Sequence, residues 1–304
     1  MTAPLLDRRA LPEGLVVDAV TMADGWALRR MRWAAGGRPR GALLFLSGRA
    51  DFGEKYLEAM AGWRARGWSV TSFDWRGQGG SAGGTEAAPD FDVLLDDLAA
   101  MIASWAVDAP VPRVVVAHSM GGHLALRLMA ERGWRPDAAV LSAPMIGIET
   151  GPLPFPVAAA IARAACLAGL GGRGLWRTAG TGTLRQATLT GSAARYADEG
   201  WWVARHPGYA ALPPRWAWLD AACRSIATLR ASPLETVTVP ILFLTAARER
   251  LVSNRAIADA ARRLPAARLL RFEQAAHELL REDDALREAA MAAIDTFFDA
   301  AAPA

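Results

Sequence analysis

One short stretch, residues 114–122, constrains the fold of this chain more than any other. It begins with the β-branched apolar residues of a buried strand and ends in Ser119, Met120 and two glycines. Residues 123–131, which follow, favour a helix. A strand that passes into a helix through one serine forces that serine onto a sharp, strained corner, which small neighbours allow to close. The sequence therefore predicts a serine hydroxyl that stands clear of the backbone at the carboxyl end of a strand.

This corner matches the nucleophile elbow of α/β-hydrolases, whose usual pattern is Gly-x-Ser-x-Gly. Here the pattern reads Ala117-His118-Ser119-Met120-Gly121, with alanine at the first small position. Alanine is the smallest replacement for glycine, so the turn can still form. The alternative is an ordinary buried strand followed by a glycine-containing turn. We favour the elbow and expect Ser119 to be a nucleophile.

Strand-like and helix-like segments alternate on both sides of this serine. Alternation of this kind predicts a mostly parallel sheet with right-handed crossovers. The expected strands are residues 15–21, 26–33, 42–47, 69–73, 113–117, 138–142, 239–245 and 267–272. The expected helices are residues 54–66, 91–105, 120–132, 254–264 and 283–301. We therefore expect an α/β fold with an eight-stranded sheet flanked by helices, whose first two strands form a hairpin around an Asp-Gly turn.

The alternation stops between residues 146 and 236, where no short buried strand is evident. This segment is rich in Gly, Pro, Ala and Trp. We expect a helical lid inserted after the sixth strand of one α/β-hydrolase core. The expected domains are the amino-terminal part of the core (residues 1–145), the lid (146–236) and the carboxyl-terminal part of the core (237–304).

A serine hydroxyl becomes a good nucleophile only when a base takes its proton, and the chain offers four histidines. His118 precedes Ser119 on the strand and points to the opposite face. His123 lies on the following helix, and His206 lies inside the insertion. His277 follows the last strand, where the chain returns to the sheet edge from which Ser119 emerges. We therefore expect His277 to be the base.

A carboxylate should orient this imidazole, and the expected chain order is serine, acid, histidine. The loop after the strand at residues 239–245 contains one carboxylate, Glu249. We expect Glu249 to be the acid, with Glu149 as the fallback. The alternative interpretation of Glu249 is a surface ion-pair cluster with Arg248 and Arg250.

Two backbone N–H groups should stabilise the oxyanion that forms in the transition state. We expect them to be those of Met120 and Arg49, because Gly48 allows the preceding loop to approach closely. A second glycine-rich stretch, residues 74–81, lacks the spacing and the lysine of a phosphate-binding loop. We interpret it as a structural turn.

Five motifs taken together resemble the α/β-hydrolases of the bacterial lysophospholipase and monoacylglycerol lipase group. They are Ser47-Gly-Arg with Tyr56, the stretch at residues 74–81, His118-Ser-Met-Gly-Gly, Leu141-Ser-Ala-Pro-Met and Glu249-Arg-Leu-Val. The resemblance covers residues 15–300 apart from the insertion. It implies a Ser–acid–His triad and a lid over the acyl site. Monoacylglycerol lipases usually have His-Gly in place of Ser47-Gly48 and Asp in place of Glu249, and both departures resemble the lysophospholipase branch.

Composition and charge restrict the kinds of partner that this chain could bind. With a net charge of +3, the chain is mildly basic, and it has no motif that combines aromatic and basic residues for binding nucleic acid. The insertion holds nine arginines and five carboxylates, which gives it a charge of +4. Together with its tryptophans, this charge favours peripheral contact with an anionic membrane or binding of a phosphate head group. The alternative is that the tryptophans pack the lid and the arginines are solvated.

The amino terminus lacks the pattern of a signal peptide, no run of residues is long enough to span a membrane, and the only cysteines are Cys166 and Cys223. We expect a cytoplasmic protein. The charge and the tryptophans of the lid suggest, as an alternative, peripheral association with the inner face of the membrane. We expect neither a metal nor a cofactor.

The sequence thus predicts a serine hydrolase that cleaves a lysophospholipid or a monoacylglycerol through an acyl-enzyme. One rival is another carboxylesterase, or a peptidase that holds a free amine with Asp198 and Glu199. The other is a non-catalytic α/β-hydrolase that binds a small molecule.

Overall fold

The computed structural model describes residues 6–81, 90–175, 183–210 and 213–303. Within them, one eight-stranded sheet has the strand order β1-β2-β4-β3-β5-β6-β7-β8. Its strands are Leu15–Thr21 (β1), Ala27–Trp33 (β2), Gly41–Leu46 (β3), Trp68–Phe73 (β4), Arg113–His118 (β5), Ala138–Ser142 (β6), Ile241–Ala246 (β7) and Ala267–Phe272 (β8). β2 pairs antiparallel with β1 and β4, and all other neighbouring strands are parallel. The predicted mostly parallel, eight-stranded sheet is confirmed.

The helices of the described residues follow the chain as α1 (Leu57–Ala65), α2 (Phe91–Ala106), α3 (Met120–Arg132), α4 (Phe155–Leu167), α5 (Thr183–Leu189), α6 (Ala193–Arg205), α7 (Trp216–Ala231), α8 (Asn254–Arg263) and α9 (Asp284–Ala301). Four of them, α4 to α7, lie between β6 and β7. The described part of this insertion contains no strand, as expected. α4 packs against α7, and α7 in turn contacts α2 and α3 of the core.

The hydrophobic core follows the sheet. β3, β6 and β7 are buried at every residue, as is typical of parallel strands that helices cover on both faces. β1 and β8 form the two edges of the sheet and are mostly exposed or half-buried. The largest fully buried side chains include three tryptophans, Trp63, Trp68 and Trp75. The sheet is thus covered on both faces at its centre and open at its two edges.

The sequence explains the hairpin turn between β1 and β2, whereas the turn before α1 differs from the prediction. Gly25 closes the hairpin between β1 and β2 with φ of 86°, a value that favours glycine, and the Asp24 carboxylate accepts a hydrogen bond from the Trp26 N–H at 3.0 Å. The helix expected at residues 54–66 instead starts with a 3₁₀ turn, Gly53–Tyr56, before α1 begins.

The topology brings the predicted site residues to one edge of the sheet. β3, β5, β7 and β8 run parallel, so the segments that follow them all leave at their shared carboxyl edge. These segments begin at residues 47, 119, 247 and 273 and contain the predicted oxyanion loop, nucleophile, acid and base.

Candidate active site

Ser119 lies at the corner between β5 and α3, as predicted. Its φ of 51° and ψ of −113° fall where side chains other than glycine are strained. The Ser119 N–H donates to the Ser142 carbonyl at 3.0 Å, and the Ser119 carbonyl accepts from the N–H groups of His123 at 3.1 Å and Met145 at 3.0 Å. These bonds hold the strained corner from both sides.

A relay of two hydrogen bonds connects the three predicted side chains. Nε2 of His277 lies 3.0 Å from Oγ of Ser119, and Nδ1 of His277 lies 2.7 Å from Oε2 of Glu249. The second oxygen of Glu249 accepts from the backbone N–H groups of residues 250, 251 and 252 at 3.0, 2.8 and 3.2 Å. An ionised carboxylate only accepts hydrogen bonds, so Nδ1 carries the proton and Nε2 is free to accept from the hydroxyl.

The electrostatics of this relay suit a base. Burial alone would lower the pKa of His277, but Glu249, with further help from Glu278 and Asp51, outweighs it and raises the pKa above the ordinary value. Burial raises the pKa of Glu249, yet the neighbouring imidazole and the backbone amides bring it below its usual value. Glu249 is thus ionised at neutral pH, and its charge favours a proton on His277.

The loop after β3 closes against Ser119, as the oxyanion prediction requires. A methyl group placed on Gly48 would lie 3.2 Å from Cβ of Ser119, so glycine permits the approach. Met120 is the first residue of α3, and its N–H therefore has no acceptor within the helix. The Arg49 guanidinium stacks on Trp218, 4.9 Å from the ring centroid. The use of the Arg49 and Met120 amides as oxyanion donors stays a prediction.

The glycine-rich stretch at residues 74–81 supports this loop. The Trp75 indole N–H donates to the Ser47 carbonyl at 2.9 Å, and the Gln78 side-chain oxygen accepts from the Ala50 N–H. The Asp74 carboxylate accepts from the Gly53 N–H and the Gly80 N–H, both at 2.8 Å. The interpretation as a structural turn therefore fits the contacts, and the turn also braces the predicted oxyanion loop.

The remaining histidines occupy other positions. The His118 ring packs against that of His277 with 4.7 Å between centroids, and burial, with the charge of His277, lowers the pKa of His118 to about 4. His123 is buried with Nε2 2.6 Å from Oγ of Ser225. His206 is exposed beside Tyr209. The fallback acid, Glu149, is exposed and lines a cleft of about 670 Å³ that does not include the relay.

Sequence reasoning missed a cluster of buried charges beside the relay. The cluster consists of ion pairs among side chains that are each at most 9% exposed: Asp51, Lys55, Glu278, Arg281 and Glu199. One signal was available, because Lys55 is the only lysine in the chain.

The described part of the chain contains neither a metal site nor a membrane-spanning helix. Among the described residues, no cluster of His, Cys, Asp and Glu side chains could hold a metal ion. No described helix is long and apolar enough to cross a membrane. Cys166 and Cys223 are both free thiols.

Comparison with known proteins places the chain among characterised relatives. It is 30% identical over 302 residues to lysophospholipase L2 of Escherichia coli K12, an alignment that covers 92% of this chain and 86% of the relative. It is 31% identical over 129 residues to monoacylglycerol lipase of Mycolicibacterium smegmatis, but this match covers 42% of the chain and only 46% of that relative.

The fold has counterparts among solved structures. A soluble variant of monoglyceride lipase from Saccharomyces cerevisiae, solved with a substrate analogue, superposes with a TM-score of 0.76 at 16% identity. The superposition covers 98% of this chain and 99% of that one, so the two share the α/β-hydrolase fold. The model of the family described as serine aminopeptidase, S33 (Hydrolase_4) matches residues 37–284. The chain therefore belongs to this family of α/β-hydrolases.

Proposed function

We propose that this protein is a serine hydrolase that cleaves carboxylic esters of single-chain lipids through an acyl-enzyme on Ser119. The observation that carries the proposal is the continuous hydroxyl–imidazole–carboxylate relay, with hydrogen-bond distances of 3.0 and 2.7 Å. The hydrogen-bonded partners lie 158 and 28 residues apart in sequence. Three side chains so far apart do not meet at a strained corner by chance. Convergence of this kind is how serine hydrolases are identified on any fold.

The chemistry follows from the geometry. Oγ of Ser119 attacks the ester carbonyl while Nε2 of His277 takes its proton, and the Glu249 carboxylate stabilises the imidazolium. The amides of Met120 and Arg49 hold the negative charge on the carbonyl oxygen. His277 then gives the proton to the departing alcohol, which leaves an acyl group on Ser119. A water molecule, deprotonated by the same imidazole, releases the carboxylic acid and restores the enzyme.

A lipid substrate is supported by the relatives of this chain. The match that spans most of both chains is to a lysophospholipase, and the partial match is to a monoacylglycerol lipase. The wider coverage favours a lysophospholipid over a monoacylglycerol as the substrate.

The insertion, residues 146–236, is proposed to act as the lid between the two parts of the core, residues 1–145 and 237–304. Leu153, Val157, Ile161 and Leu167 leave at least two-fifths of their surface exposed on or beside α4. An apolar face of this kind fits a lipid surface.

The arginines of the insertion contribute less to attraction of an anionic surface than their number suggests. Four of them already pair with carboxylates of the protein: Arg163, Arg185, Arg195 and Arg224. Arg177 lies outside the described residues. Residence at the cytoplasmic face of a membrane remains part of this proposal.

The family description raises the peptidase alternative, which the structure disfavours. An aminopeptidase needs a free carboxylate to hold the substrate amine. Asp198 pairs with Arg8 and Arg9, and Glu199 with Lys55, Arg185 and Arg281. Both carboxylates of the expected pair are therefore neutralised within the protein.

A fluorophosphonate probe tests the proposal, because it reacts only with an activated serine. We expect covalent labelling of the wild-type protein and none of Ser119→Ala. Release of fatty acid from lysophospholipids, monoacylglycerols and short p-nitrophenyl esters then ranks the substrates. An unlabelled wild-type protein that still binds lipid would instead establish the non-catalytic alternative.

A further inference from the structure

The second part of the insertion is attached to the loop that carries His277. The Glu278 N–H donates to the Leu189 carbonyl at 2.7 Å, and the Thr190 hydroxyl donates to the Arg281 carbonyl at 2.7 Å. The Gly191 N–H donates to one carboxylate oxygen of Glu282 at 2.7 Å. The residues at the end of α5 thus bind the backbone on the carboxyl side of His277 directly.

Glu199 adds a charged link from α6 to the same loop. Its Oε2 lies 3.1 Å from Nζ of Lys55 and 3.3 Å from Nη1 of Arg281. Both cations also pair with Glu278, the residue after His277, and the pair with Lys55 measures 3.0 Å. The side chains of Lys55 and Arg281 are only 1% and 2% exposed, so solvent screens these pairs weakly.

The same cluster reaches the predicted oxyanion loop through Asp51. One carboxylate oxygen of Asp51 pairs with Lys55, and the other accepts from the Gly48 N–H at 2.8 Å and the Tyr56 hydroxyl at 2.8 Å. Gly48 directly precedes Arg49, whose amide is the proposed donor. The chain of contacts therefore runs from α6 through Lys55 to two separate loops of the site.

We propose that Glu199 is a positioning residue, through which the insertion holds the His277 loop and the oxyanion loop in their working geometry. The inference rests on the proposed function. In this arrangement α5 and α6 form a fixed part of the active site, whereas an ordinary lid would only cover it. Lys55 and Arg281 each meet two or three carboxylates, so removal of one charge obliges the cluster to rearrange. Because the loops are hydrogen-bonded to this cluster, they shift with it.

The test compares two adjacent carboxylates of α6. Glu199→Gln removes the charge that faces the site. Asp198→Asn removes an equally buried charge (both residues are 8% exposed) whose partners, Arg8 and Arg9, lie in the amino-terminal segment. Fluorophosphonate labelling carried to completion counts the active sites in each preparation, so kcat can be expressed per site.

We expect kcat per site to fall about 10- to 100-fold in Glu199→Gln, with KM for a p-nitrophenyl ester nearly unchanged, because small displacements of catalytic groups cost rates of this size. Asp198→Asn should retain the wild-type kcat per site. Glu199→Asp, which keeps the charge on a shorter side chain, should show a smaller loss in the same direction and serves if Glu199→Gln does not fold. Equal values of kcat per site in the Glu199 and Asp198 variants would overturn the inference.

A double variant tests whether the effect passes through the cluster. If Glu199 acts through Lys55 and Arg281 on Glu278, then Glu199→Gln combined with Glu278→Gln should lower kcat little more than the worse single change. Multiplicative losses would show independent effects and would contradict the inference. Absence of esterase activity in the wild-type protein would instead contradict the proposed function, so the two failures are distinguishable.

Discussion

At the scale of single residues, the sequence predicted the relay because three constraints act together. The elbow pattern indicates Ser119 as the expected nucleophile, the loop position of His277 distinguishes it from three other histidines, and the expected chain order favours Glu249 as the acid. The structure joins these three at hydrogen-bond distance. The contact of His118 with His277 was not foreseen, because the prediction for His118 assumed regular alternation along a strand, whereas Ser119 lies at a corner with φ of 51°.

Glu249→Gln tests the acid. The amide keeps the shape of the side chain but can present an N–H to Nδ1, which allows the wrong tautomer of His277. We expect kcat to fall by a factor on the order of 10³–10⁴, by analogy with other triads. Steady-state hydrolysis of a p-nitrophenyl ester measures it. Glu149→Gln is the control, and a comparable loss there would transfer the role to the fallback acid.

The pH dependence of kcat/KM tests the electrostatics of the relay. In the proposed mechanism the neutral form of His277 is the base, so activity should disappear as the imidazole becomes protonated. Because Glu249 and its neighbours raise the pKa of His277, the acidic limb should lie above the ordinary value of about 6.5. In Glu249→Gln the imidazolium loses its closest negative charge, so the limb of the residual activity should move to lower pH. A limb that does not move would mean that another group controls it.

At the scale of secondary-structure elements, pattern and periodicity predicted the positions of the strands well. They did not predict how closely the elements pack against one another. The boundaries of β5 and β6 follow from apolar runs that end at turn residues. The tight approach of α3 to β3 does not, because it depends on atoms far apart in the sequence. A methyl group on Gly121 would lie 2.5 Å from the Ser47 carbonyl oxygen and 2.7 Å from that of Leu46. These backbone atoms cannot move aside without shifting the oxyanion loop.

Two glycine-to-alanine changes in helices should therefore have opposite effects. Gly121→Ala should destabilise the protein by about 1–3 kcal/mol, as overpacking does, and should also lower kcat. Gly200→Ala in α6 meets no atom within 4 Å, so it should stabilise the protein by about 0.5–1 kcal/mol through helix propensity. Chemical denaturation measures both. A stable and active Gly121→Ala would show that the loop after β3 is compliant.

At the scale of the whole molecule, the sequence predicted where the insertion lies but not how it joins the core. The helices between β6 and β7 follow from the loss of strand-like runs. The cluster around Lys55 does not, because its members come from the loop after β3, from α6 and from the segment after β8. No local pattern connects them. A buried charge becomes interpretable only when its partners are known.

The last prediction concerns the exposed apolar face of α4 and its contact with lipid. Ile161 and Leu167 are 42% and 75% exposed, whereas the neighbouring Ala158 and Ala162 are buried. If this face enters a lipid surface, each side chain contributes about 1.5–3 kcal/mol of transfer free energy when fully buried. Ile161→Gln and Leu167→Gln should each weaken binding to phosphatidylglycerol vesicles about tenfold or more. Co-sedimentation with the vesicles measures the affinity.

The matched control for α4 is Val107→Gln. Val107 is 77% exposed and precedes β5, at the amino edge of the sheet, opposite the edge where Ser119 emerges. The Val107→Gln variant should bind vesicles with the same affinity as the wild-type protein. All three variants should hydrolyse a soluble p-nitrophenyl ester at the wild-type rate, because none contacts the relay. If the α4 variants and the Val107 variant bind vesicles equally well, the apolar face of α4 does not contact lipid, and the insertion serves the active site alone.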